Sequence, residues 1–81
     1  MDNHKELEKL YNDTQDKLSE GISTIIRSIN NKNQIVAFLK KMENQPTIDV
    51  LKRVNDIAIK KEDYETCEAL KEYAKQIGVQ L

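Results

Sequence analysis

Apolar residues in the first third of the chain recur at helical spacing. Leu7, Tyr11, Thr14, Leu18, Ile22, Ile25 and Ile29 follow steps of 4, 3, 4, 4, 3 and 4, and Leu10 and Ile26 widen the stripe. The mean step of about 3.67 residues holds such a stripe on one face of a straight α-helix, with no left-handed supercoil required. The spacing predicts a first helix over 4–30, with Asp2 or Asn3 as its cap and Glu6 in the first turn, where the macrodipole favours an acid. Gly21 sits beside the stripe. It costs about 1 kcal/mol relative to Ala inside a helix, which points to a close helix crossing or a mild kink.

The polar run Asn30-Asn31-Lys32-Asn33 ends that pattern. Ile35, Phe38, Leu39 and Met42 then give the i, i+3, i+4, i+7 spacing of a short second helix over 33–43. Pro46 breaks it, since the residue before a proline is driven out of the helical region. A third helix follows over 47–61, with Pro46 near its first position or Thr47 as N-cap and Asp49 in its first turn. Ile48, Val50, Leu51, Val54, Ile57, Ala58 and Ile59 cover an arc of about 200° of this helix, about twice that of an ordinary surface helix. It is expected to lie between two neighbours, with Asn55 a partly exposed amide at the edge of the arc. The fourth helix, over 63–77, takes Asp63 as N-cap and carries Tyr64, Cys67, Leu70, Ala74 and Ile77 on one face. Gly78 stops it.

The short link between the last two helices forces an antiparallel αα-hairpin. The expected fold is all-α: one domain over 1–81, a small bundle of three to four helices with a long N-terminal helix. At 1.5 Å per residue the first helix would span about 37 Å against about 20 Å for the hairpin helices. A hairpin cannot cover so long a stripe. Either the chain bends near Gly21 or a second subunit covers the remainder, and a helical homodimer is the preferred architecture.

Charge and composition narrow the function classes. The 81 residues hold 13 Lys+Arg against 14 Asp+Glu, so no basic excess marks a phosphate-binding surface. The remaining nucleic-acid candidates are Lys40-Lys41 and, chiefly, Lys52, Arg53, Lys60 and Lys61, and acids flank each pair. A lone Cys67 excludes an internal disulfide and, with only His4 beside it in the inventory, a four-ligand zinc site. Cys67 lies on an apolar face far from His4 and reads as a packing residue. The carboxylate pairs Asp16/Glu20 and Glu65/Glu68 lack a histidine at helical spacing and read as solvated surface. Neither glycine belongs to a phosphate loop. No enzyme and no cofactor or metal is expected. With no apolar run of membrane-spanning length and no signal-peptide pattern, a cytoplasmic protein without membrane insertion is expected.

The stretch from Ala58 to Glu72 resembles the UVR motif, a short αα-hairpin found in a nucleotide-excision-repair subunit, its nuclease partner and other bacterial proteins. Ala58, Asp63, Tyr64, Glu65 and Leu70 match its pattern, Cys67 takes the place of the first small residue, and Lys71-Glu72 stand for Arg-Asp. Glu62 replaces the usual Leu and Glu68 the second Ala. The resemblance implies a hairpin that pairs with another protein, with Tyr64 folding back onto Ala58 and Val54. In size and charge balance the chain is also similar to the small cytoplasmic lysis-inhibition accessory factors of T-even bacteriophages, which would imply a phage regulator of host or lysis proteins.

These features together point to a non-enzymatic helical interaction module, an adaptor or regulator that binds a protein partner rather than nucleic acid and forms a homodimer. The expected contact residues are Leu7, Leu10, Tyr11, Leu18, Tyr64 and Tyr73. Tyr73 is included as an anchor at the border of its helix's apolar face.

Overall fold

The starts of the second, third and fourth helices each fall on a residue whose side chain caps the helix. The computed structural model describes residues 3–81 and contains α1 (Asn3–Ile29), α2 (Lys32–Lys41), α3 (Ile48–Lys60) and α4 (Tyr64–Ile77), with no strand among the described residues. Asp2, one of the two expected caps of α1, lies outside the described residues. Asn30 closes α1 in the left-handed region at φ 46°, and Asn31 caps α2 by accepting from the Gln34 amide. Thr47 caps α3 and Asp63 caps α4, each through a side-chain oxygen on the amide three residues on. Gly78 ends α4 at φ 80°, with the Gly78 and Val79 amides turned back onto the Lys75 and Ala74 carbonyls.

Short turns make successive helices antiparallel, so α1 runs with α3 and α2 with α4. Asp49 and Arg53 at the start of α3 bond residues 11–16 of α1, whereas Ile57, Lys60 and Lys61 share a groove with Glu20, Thr24 and Arg27. At the starts of α2 and α4, Glu65 Oε1 accepts from the Lys32 amide at 2.7 Å. The wide apolar arc of α3 faces both α1 and α4, as its width implies. Asn55 on that helix is half-buried, as expected, and its Oδ1 has no hydrogen-bond partner among the described residues.

The core joins Ile22 and Ile26 of α1, Ile35, Val36 and Leu39 of α2, Val50, Leu51 and Val54 of α3, and Ala69, Leu70 and Tyr73 of α4. This corrects the face assigned to α1. The buried line is Ser19, Ile22, Ser23 and Ile26, roughly a quarter-turn from the stripe through Leu7, Leu18 and Ile25. Two small serines let α3 approach closely, and Ser19 meets its own hydroxyl demand by donating to the Gln15 carbonyl at 2.7 Å. Helix α4 buries Cys67, Leu70 and Ala74 of its expected face, adds Thr66, Ala69 and Tyr73, and leaves Tyr64 and Ile77 exposed.

Two tyrosine assignments change with it. Tyr73 is fully buried, the largest of the wholly enclosed side chains, so it is a core residue and not a partner-contact anchor. Tyr64 is exposed instead of packed onto Ala58 and Val54. Gly21 marks neither a break nor a close crossing within the chain: α1 continues through it, and a Cβ built there would meet no atom within 4 Å.

Candidate interaction surface

From Asn3 to Thr14 every residue of α1 is exposed, and the molecule measures 48 Å along its long axis against 26 and 21 Å across. A 27-residue helix is about 40 Å long, so α1 overhangs the three shorter helices. The overhang is not polar all round. Leu7 (62% exposed), Leu10 (63%), Tyr11 (54%), Leu18 (49%) and Ile25 (48%) form an apolar strip that stays about half or more open, with Leu18 sharing a groove with Val50 and the α2–α3 link. Scattered exposed leucines are ordinary, but a contiguous strip on one helix face is the pattern of an interaction surface.

A polar clamp holds the overhang in place. Asp49 Oδ2, in the first turn of α3, accepts from Gln15 Nε2 at 3.1 Å, Tyr11 Oη at 3.3 Å and Arg53 Nε at 3.0 Å. Arg53 spans to α1 through Nη1, which donates to Asp16 at 2.6 Å, and Nη2, which donates to Asn12 at 2.9 Å. The Tyr11 ring is thereby held at the edge of the strip with its hydroxyl engaged and its face open. Hydrogen bonds from Gln15 and then Arg53, with the guanidinium charge, hold the Asp49 carboxyl below its ordinary value of 3.8, and Asp16 and Asp49 push Arg53 upward.

That shift carries a sign. A depressed carboxyl contributes stability above its unfolded value and loses it as pH falls through the folded one. Urea midpoints of the native chain should therefore decline as pH drops below about 3.8, and Asp49→Asn should remove part of that decline while leaving the neutral-pH midpoint within a small margin.

The other sequence candidates are dispersed. Lys52, Lys60 and Lys61 are exposed, whereas Arg53 is half-buried and tied to two carboxylates. Lys52, Arg53 and Lys60 line a groove that also holds Asp16, Glu20, Asp49 and Asp56, so positive charge is answered locally. Tyr64 stands exposed at the start of α4, away from the α1 strip. Cys67 is buried, and burial first, then the Asp63 charge, push its thiol upward, away from the reactive thiolate. Among the described residues no group of three or more His, Cys, Asp or Glu side chains could hold a metal ion, and no helix is long and apolar enough to cross a membrane.

The buried Ser19, Ser23 and Thr66 were not visible to a count of apolar positions. No protein-family model, no curated protein and no solved structure matches the chain.

Proposed function

We propose that this chain is a non-enzymatic helical interaction module, an adaptor or regulator that docks onto protein through the exposed apolar strip of α1. One observation carries the proposal. Five large apolar side chains on one helix face stand about half or more exposed, with Tyr11 among them anchored to the Asp49–Arg53 clamp. Leaving them in water forgoes about 25 cal/mol per Å² of burial, which a partner surface would recover. Nucleic-acid binding has less support, because Arg53 is committed to Asp16 and Asp49 and the nearby lysines share their groove with acids.

The test is affinity capture from the source cells with the native chain and with Leu10→Glu/Leu18→Glu. Both positions are exposed, so the variant should keep its helical circular dichroism. A protein retained by the native chain and lost with the variant supports the reading. Recovery of nothing above background, or equal recovery with both, overturns it.

A further inference from the structure

Among the exposed residues of α1, one line beside the apolar strip has a different period. Leu7, Tyr11, Thr14, Leu18, Gly21, Ile25 and Ser28 are all exposed and follow steps of 4, 3, 4, 3, 4 and 3. That alternation is the 3.5-residue seam of a two-stranded coiled coil, whereas the 3.67 period came from mixing in Ile22 and Ile29, which face the core. We propose that the strip is covered by α1 of a second copy, running antiparallel, in the register that seats Tyr11 of each chain against Gly21 of the other. The inference rests on the reading of the strip as an interaction surface and names its occupant.

Size complementarity selects the orientation. In a parallel pair each position meets itself, so Tyr11 crowds Tyr11 and Gly21 faces Gly21 across a void. In an antiparallel pair the two classes of seam position oppose one another. Setting Leu7 against Ile25 brings Tyr11 opposite Gly21 and Thr14 opposite Leu18, which evens the volume of every layer. Gly21 then has a purpose. Nothing within the chain requires a glycine there, since a Cβ would meet no atom within 4 Å, yet a mid-helix glycine costs about 1 kcal/mol. A ring from the facing helix would use the room it leaves.

Opposed macrodipoles are favoured over aligned ones. Near the two-fold axis each Lys17 has Asp13 and Glu20 within one turn of its own helix. The core face of α1 lies about a third of a turn from the seam, and Met42, Pro46 and Thr47 of the α2–α3 link share a groove with Leu18 on the seam's flank. The five large side chains present on the order of 500 Å² per chain, or about 1,000 Å² in the pair, which reaches the floor for a specific interface and implies a reversible dimer.

The test uses purified protein alone. Native chain in a light-scattering concentration series should pass from monomer to dimer. A spin label on Lys5→Cys, on the face of α1 turned away from the seam, in a Cys67→Ala background, should report over about 40 Å between copies when antiparallel and under about 30 Å when parallel. Gly21→Leu, a better helix former facing open space, should fold and weaken dimerisation more than tenfold, and adding Tyr11→Ala should restore much of it. A monomer at every concentration, the short label distance, or undiminished dimerisation by Gly21→Leu overturns the proposal. A monomer that still captures a protein from cells would sink the self-pairing and spare the interaction module; a dimer that captures nothing would do the reverse.

Discussion

Tyr73→Ala is expected to lower the unfolding free energy by about 3–5 kcal/mol, the range for removing a buried aromatic side chain. A domain of this size has roughly 4–12 kcal/mol in all, so much of the variant population should be unfolded or close to it. The magnitude follows from position. Tyr73 is wholly enclosed in the cluster built from all four helices, and its removal leaves a cavity in a core whose other members include the fully buried Ile35, Leu39, Leu51 and Leu70. Its hydroxyl also donates to Gln45 Oε1, whose amide nitrogen donates to the Lys40 carbonyl at 3.1 Å and the Met42 carbonyl at 2.7 Å. One side chain thus ties α4 to the end of α2 and to the link that leads into α3.

Tyr73→Phe separates the two contributions. It keeps the ring and frees only Gln45, which is exposed and can turn to water, so its cost should be about 0.5–1.5 kcal/mol. The pH dependence differs as well. Burial pushes the Tyr73 phenol above its ordinary value of 10.0, so its contribution is complete below that value and is lost as pH rises toward the folded one. Urea titrations followed by circular dichroism at neutral and alkaline pH check both points. A Tyr73→Ala variant as stable as the native chain would mean the residue is not in the core.

Punctuation was legible in the sequence and facing was not. Thr47, Asp63 and Gly78 terminate helices where the chemistry of a hydroxyl, a carboxylate and a Cβ-less residue says they should. The hairpin follows from the short link between α3 and α4. Which side of α1 is inside could not be read from hydrophobicity, because the buried line includes Ser19, whose hydroxyl bonds the preceding turn, and Ser23, whose small side chain is buried with its hydroxyl unbonded among the described residues. The same bias shifted only part of α4, where Cys67, Leu70 and Ala74 are buried as expected. Tyr64 carried weight as a large residue at its start, whereas Thr66 and Ala69 allow closer packing and leave room for Tyr73. The strip of α1 was found as a set of residues but not as a separate seam. Leu18 and Ile22 looked like one stripe until burial divided them.

Adjacent isoleucines in α1 should therefore respond in opposite ways to the same substitution. Ile26 is fully buried between α1 and the other helices, and Ile26→Asp would place a carboxylate where neither water nor a cation reaches it. Such a group either ionises at a cost of several kcal/mol or stays protonated with its polar atoms unpaired, and both routes destabilise. Loss of most helical signal at neutral pH is the expected result, with partial recovery in acid as the carboxyl is neutralised. Ile25 is 48% exposed, so Ile25→Asp should change the thermal midpoint of the monomer by little, within about 0.5 kcal/mol. Its effect should fall on association instead. In the antiparallel pair Ile25 opposes Leu7 at both ends of the seam, so each dimer would bury two uncompensated carboxylates, and dimerisation should weaken more than tenfold. Thermal unfolding of dilute protein and light scattering of concentrated protein separate the two outcomes. Equal destabilisation of the dilute monomer by both substitutions would return the stripe to a single face and remove the distinction between core line and seam.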